Sequence, residues 1–241
     1  MIASSSISLA GLLFDKDGTL VDFDQTWGRA GYEVMLRLGR GDAAAVRRLV
    51  DAMHYGVESR RFAPTSPLVA GAPDTYVHLW AEALGRPNDA AMLDDLDRAF
   101  THETLRALTP LAEPEAVLRQ LASRGLKLGL ATNDGEASAR RQLAALGLDR
   151  HMDFVAGYDS GHGGKPEPGM VLAFARAIGV EPGRIAMVGD SPLDLIAARS
   201  AGAIAVAVLS GPARRDELEH LADHVLDGIE DVPALVDRLA A

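Results

Sequence analysis

Two aspartates with a single lysine between them, Asp15 and Asp17 in "LLFDKDGTL", follow directly on a short apolar run. Carboxylates placed so closely repel one another and resist burial, so the pair requires a counter-charge. Three other segments carry groups of matching chemistry. Thr132 and Asn133 lie in "LATND", Lys165 in the glycine-rich "SGHGGKPEP", and Asp190 with Asp194 in "MVGDSPLD". Clustered carboxylates suit magnesium, which takes one or two of them together with waters and substrate phosphate oxygens. An aspartate can serve as nucleophile through an aspartyl-phosphate. A second acid beside it can protonate a leaving alkoxide and later activate water. An ammonium and a hydroxyl then stabilise charge on the transferring oxygens. Gly18 would let the backbone approach a phosphate closely. The combination points to magnesium-assisted phosphoryl transfer. Lysine is scarce, with Lys16, Lys127 and Lys165 against 21 arginines, which marks Lys165 as selected for a compact charge. Lys16 is expected to be a solvated neighbour of the acids.

These residues need a scaffold that brings distant segments to one edge. "GLLFD" (11–15), "KLGLAT" (127–132), "DFVAGY" (153–158), "RIAMVGD" (184–190) and "AIAVAVL" (203–209) read as buried parallel strands. Amphipathic stretches such as "EPEAVLRQLASRG" and "PGMVLAFARAIG" lie between the later ones, each ending in the glycine that often closes a helix. Alternation of this kind predicts an α/β fold with a doubly wound, mostly parallel sheet, which binds ligands at the carboxyl ends of its strands. The chemical residues all fall at such ends or in a loop near them. Between the first two strands the alternation lapses for about a hundred residues, with helical signals and no clear strand. Phe23, Trp27, Ala30, Val34 and Leu38 share one helical face there, and further helices are expected near 42–55, 74–85 and 89–108. The interval is therefore expected to be an inserted helical domain, 22–108, within a core formed by 1–21 and 109–241. Its hinges would be "VDFD" and "TPLAEPE".

Composition narrows the function further. The chain has 241 residues, 48% of them hydrophobic, enough for a full core with a smaller partner. A net charge of −10 argues against a nucleic-acid footprint. The absence of cysteine excludes disulfides, thiol catalysis and zinc–thiolate sites. The start, "MIASSSISLAGLLF", lacks a basic leader, and no apolar stretch is long enough to span a bilayer. A cytoplasmic protein, monomer or homodimer, is the expectation.

The same segments resemble the haloacid dehalogenase-like superfamily of phosphohydrolases. "DKDGT" matches its first motif, Thr132 its second, Lys165 its third and "GDSPLD" its fourth, in the expected order. The likeness covers nearly the whole chain and includes a helical cap inserted after the first motif. It implies that Asp15 is nucleophile and magnesium ligand, and that Asp17 is general acid/base with its carbonyl on the metal. It further implies that Thr132 and Lys165 hold the phosphoryl group with Asn133 nearby, that Asp190 completes the metal site, and that Asp194 steadies Lys165 or a metal-bound water. An acid near a helix start is also stabilised by the helix dipole alone.

Other motifs fail. "GHGGKP" would need glycine at 159 and Ser or Thr at 166 to cradle a nucleotide phosphate, but Asp159 and Pro166 stand there. "HETLR" has Arg106 where a zinc site needs its second histidine. Within the family, Asp17 favours phosphate esters over halides, whose departure needs no proton. The absence of lysine from 22–108 removes the Schiff-base phosphonate branch, and Thr19 stands where the mutases usually carry an apolar residue. Hydrolysis of a small phosphorylated metabolite, as in phosphoglycolate phosphatases, is the resulting expectation. Arg29, Arg47, Arg48, Arg60 and Arg61 are candidates to meet the rest of the substrate. The alternatives are a sugar-phosphate mutase, a phospho-acceptor signalling domain and a catalytically idle binding protein.

Overall fold

Four consecutive apolar residues, "GLLF", form the first strand, β1 (Gly11–Phe14), and all four are buried because the strand is covered on both faces. The computed structural model describes residues 8–69 and 71–240, so the reading of the first seven residues as lacking a leader lies outside it. From β1 the chain enters a helical insert. A π-helical turn (Asp24–Gly28) runs into α1 (Arg29–Gly39), followed by α2 (Ala43–Ala52). The short strands β2 (Tyr55–Gly56) and β3 (Arg61–Phe62) pair antiparallel, and α3 (Pro73–Leu84) and α4 (Ala90–Ala107) complete the insert. The expected helices at 42–55, 74–85 and 89–108 are thus present within a few residues. The hairpin corrects the expectation of no strand in this interval. Its two-residue strands are too short to show an alternating pattern, and their tight turn needs the left-handed φ of 55° at Arg60.

The remainder alternates as the sequence predicts. It runs through α5 (Pro114–Ala122), β4 (Lys127–Ala131), α6 (Glu136–Ala145), β5 (Phe154–Ala156) and α7 (Gly169–Ile178). It continues with β6 (Ile185–Gly189), α8 (Pro192–Ala201), β7 (Ile204–Val208), α9 (Arg215–Leu218), β8 (His224–Leu226) and α10 (Val232–Ala240). Six strands form one parallel sheet in the order β5–β4–β1–β6–β7–β8, a Rossmann-like α/β arrangement. β8 was not among the expected strands; it is three residues long and only its last is buried.

Strand alternation divides the interior. Leu12, Phe14, Leu128, Leu130 and Val188 pack against α5, α6 and α10. Leu13, Ala131, Ile185 and Met187 meet α7 and α8 on the opposite face. The insert has a third, separate core, in which Trp27, Val34, Trp80 and Phe100 are buried. Its two links to the sheet run side by side: Asp22 donates its amide to the Thr109 carbonyl (2.9 Å) and Leu111 to that of Leu20 (3.0 Å).

Winding proceeds from β1 to β4 and β5, then returns to the other side of β1 with β6. That reversal opens a crevice at the carboxyl ends of the central strands. Register then sets the site. Phe14 lies opposite both Leu130 and Val188, so the segments beginning at Asp15, Ala131 and Gly189 leave the sheet side by side. No helix among the described residues is long and apolar enough to cross a membrane.

Candidate active site

Asp15, Thr132, Asn133, Lys165 and Asp190 line one cavity of about 320 Å³ at that crevice. Asp17 joins them at the rim, and Phe23, Trp27, Leu68 and Tyr76 of the insert form the facing wall. Lys165 Nζ lies 2.6 Å from Asp15 Oδ1 and 2.6 Å from Asp194 Oδ1, with all three groups buried. Burial alone would depress the lysine, but Asp15 and Asp194 hold its pKa above the usual value. Asp15 is pushed up to about 7, first by desolvation, against the pull of Lys165 and with the push of Asp194 and Asp17.

Two residues position the lysine. The Asn133 side chain accepts the Lys165 amide (2.8 Å) and donates to the Lys165 carbonyl (2.9 Å), so its amide group clamps the lysine loop. Asn133 also lines the pocket. Asp194 serves twice: Oδ1 meets Lys165, while Oδ2 accepts from the Ser191 amide (3.0 Å) and hydroxyl (2.6 Å) in the capping box of α8. The helix-start reading and the lysine-steadying reading of Asp194 therefore hold together.

Asp190 is the acid without a cation. Among the described residues no salt bridge reaches it, and Thr19 donates a long hydrogen bond to it at 3.3 Å. Burial, then Asp15 and Asp194, raise its pKa well above the usual carboxylate value. Asp15, Asp190 and Asp194 can bring one oxygen each within 4.8 Å of one another. Three carboxylates against one ammonium leave a buried negative excess made only of hard oxygens, which fits a divalent cation. Both oxygens of Asp194 are engaged, so Asp15 and Asp190 are the carboxylates of this group that could hold such an ion.

Gly18 requires a correction. Its amide donates to the Val21 carbonyl (2.7 Å) and its carbonyl accepts from Ser210 (2.8 Å), so neither backbone group is directed at a phosphate. Glycine is demanded instead by a φ of 85° and by Asp190, whose carboxylate a Cβ would overlap. Gly211, absent from the sequence reading, presses on the same carboxylate in the same way. Thr132 accepts the Asp134 amide at 3.1 Å, which leaves its hydroxyl proton to donate. The five arginines do not line the cavity. Arg48 donates to Ala83 in the insert, Arg60 pairs with Glu33 and Arg61 with Asp24.

Lys16 is the second correction. It is fully buried, not solvated, and its ammonium meets Asp17 Oδ2 (2.7 Å), Gln142 Oε1 (2.8 Å) and Asp134 Oδ2 (3.2 Å). Alternation along β1 gives the reason: Lys16 continues the side of Leu12 and Phe14, which α5 and α6 cover, while Asp15 continues the side of Leu13. The other Asp17 oxygen accepts from Trp27 Nε1 at 2.6 Å. Lys16 and Lys165 thus answer the charge of the opening acid pair from two sides.

Fold and site together define an α/β protein with a buried carboxylate, an adjacent acid and a paired lysine gathered at one sheet edge. The family model for haloacid dehalogenase-like hydrolases matches residues 9–202, and the chain belongs to that family. It is 34% identical over 237 residues to a phosphoglycolate phosphatase of Rhodospirillum rubrum, covering 95% of this chain and 90% of that relative. A phosphoglycolate phosphatase of Mesorhizobium japonicum is 30% identical over 234 residues, with 95% of each covered. Among solved structures, a hydrolase from Pseudomonas syringae shares the fold (TM-score 0.68, 23% identity, 96% and 100% covered). So does a β-phosphoglucomutase from Clostridium difficile (TM-score 0.68, 17% identity, 95% and 98% covered).

Proposed function

We propose that this chain is a magnesium-dependent phosphomonoesterase that hydrolyses a small phosphorylated metabolite through an aspartyl-phosphate. The reading rests above all on the buried Asp15–Lys165–Asp194 arrangement, with unpaired Asp190 within a few ångströms. An Asp15 oxygen attacks phosphorus, the ester P–O bond breaks, and the departing oxygen takes a proton from Asp17. Asp17 then takes a proton from water, whose oxygen attacks the acyl phosphate. The Asp15–phosphorus bond breaks, releasing phosphate and restoring the carboxylate. Lys165 and the Thr132 hydroxyl steady the transferring oxygens, and Asn133 and Asp194 keep the lysine in place. A magnesium ion held by Asp15 and Asp190, with the Asp17 carbonyl, would neutralise charge on nucleophile and phosphoryl group.

In this reading residues 22–108 form a cap over a core of 1–21 and 109–241. Its apolar wall excludes water from the cavity. The names of the curated relatives make phosphoglycolate the first ester to try. Phosphate release from phosphoglycolate, sugar phosphates, nucleotides and p-nitrophenyl phosphate, with and without magnesium, tests the proposal. Asp15→Asn is expected to abolish release at least a thousandfold. Retention of wild-type turnover in that variant would refute the nucleophile assignment. A mutase would convert a sugar phosphate into its isomer, and a phospho-acceptor would stop at a stable acyl phosphate.

A further inference from the structure

The lysine on the covered side of the strand end has no part in the mechanism above, yet it is among the largest fully buried side chains. A buried ammonium is expensive to desolvate, and an apolar side chain of similar size is commonly as stable or more so. Its surroundings are built around its charge. Three N–H donors meet three acceptors on Asp17, Gln142 and Asp134, and the Trp27 ring lies 5.4 Å from Nζ on another side. The acceptors are held in turn. Asp134 accepts from Ser138 (3.0 Å) and the Gly135 amide (2.8 Å), and Gln142 donates to Thr104 (3.1 Å) on α4 of the insert.

We propose that Lys16 is a positioning residue for proton transfer: its caged ammonium aims the Asp17 carboxylate and ties it, through Gln142–Thr104 and Trp27, to the helical insert. Lys16 does not line the cavity, so it acts through the cavity-lining residues it holds, Asp17 first and Asp134 beside it. The geometry is specific, because one Asp17 oxygen is fixed by Lys16 at 2.7 Å and the other by Trp27 at 2.6 Å. Losing the ammonium removes one of the two contacts that fix the Asp17 carboxylate and frees it to rotate.

The inference rests on the phosphatase reading, and leaving-group dependence separates the two. An alkyl phosphate needs a proton on its departing oxygen, whereas p-nitrophenolate leaves readily without one. The readout is the ratio of kcat/KM for the best alkyl phosphate to that for p-nitrophenyl phosphate, which reports the first chemical step. Lys16→Met is expected to lower this ratio by about tenfold or more, in the direction of Asp17→Asn. In the Asp17→Asn background, Lys16→Met is expected to change it no further. Should Lys16→Met fail to fold, Lys16→Met/Asp134→Asn removes both buried charges together and is expected to show the same drop. Equal loss on both esters, or an undiminished drop in the Asp17→Asn background, would overturn the positioning role while leaving the phosphatase reading intact. A wild-type protein inert toward both esters would overturn the phosphatase reading and this one with it.

Discussion

Replacing Asp190 with asparagine should stabilise the metal-free protein while removing its response to magnesium. Asp15, Asp190 and Asp194 offer oxygens within 4.8 Å of one another, and among the described residues Lys165 forms ion pairs only with Asp15 and Asp194. At that separation and an effective dielectric of ~20, two full charges repel by about 3.5 kcal/mol. Loss of the weaker attraction between Asp190 and Lys165 offsets part of this, leaving a gain of about 1–3 kcal/mol. For a chain of this size each kcal/mol moves Tm by about 2–4 °C. The Thr19 hydrogen bond survives, because asparagine keeps the accepting oxygen. The sign follows from the pKa. Asp190 is raised above its ordinary carboxylate value, so the folded state holds the proton more tightly than the unfolded chain. The penalty is absent below the ordinary carboxylate value, grows as pH rises above it, and is complete once the folded value is passed. The gain should therefore be smaller at pH 5 than at pH 8. Thermal melts in chelator at both pH values, repeated with added magnesium, read the effect. Wild type should gain stability with magnesium and Asp190→Asn should not, and the variant should lose phosphatase turnover. A variant that melts lower than wild type at high pH, and keeps the full magnesium shift, would refute both the electrostatic account and the cation site.

Three further perturbations separate local roles. Gly211→Ala drives a methyl against the Asp190 carboxylate, so turnover should fall by tenfold or more and the magnesium requirement should rise, as a metal titration of kcat would show. Asp97, hydrogen-bonded to Tyr158 at 3.1 Å across the insert–sheet boundary, is raised to about 6, chiefly by desolvation. Its contribution to stability is therefore lost as pH rises from about 4 to about 6 and stays lost above that. After allowance for solvent screening, Asp97→Asn should raise Tm by a few degrees (about 1 kcal/mol) at pH 8 and by nothing near pH 4, measured by scanning calorimetry. Alanine at Arg29, Arg47, Arg48, Arg60 or Arg61 should leave kcat/KM on the best substrate within about twofold, because none of the five reaches the cavity.

The catalytic edge is legible from sequence because its residues fall at strand ends, where a parallel sheet must gather them. Asp15, Thr132 and Asp190 each stand one position past the end of β1, β4 and β6, and the apolar runs that mark those strands cannot be placed elsewhere. What escapes is decided by side-chain surroundings. Lys16 carries no motif, and charged residues are usually exposed, so only strand parity hints that it faces α6. Gly18 has the residue type a phosphate loop would use, but its conformation answers to Asp190 and Ser210, both distant in sequence. Asn133 reaches the clamp on Lys165 by a fold in the chain that spacing does not reveal. Within the insert, helix faces are readable, yet whether an arginine points into the cavity depends on how the helices pack.

The two links to the helical insert emerge from the sheet within hydrogen-bond reach of each other, at Asp22–Thr109 and Leu20–Leu111. To the six strands, everything between them is equivalent to one tight turn. Its bulk can grow or shrink without prising β1 from its neighbours, provided Trp27 and Thr104 keep the contacts by which they reach back to the strand end.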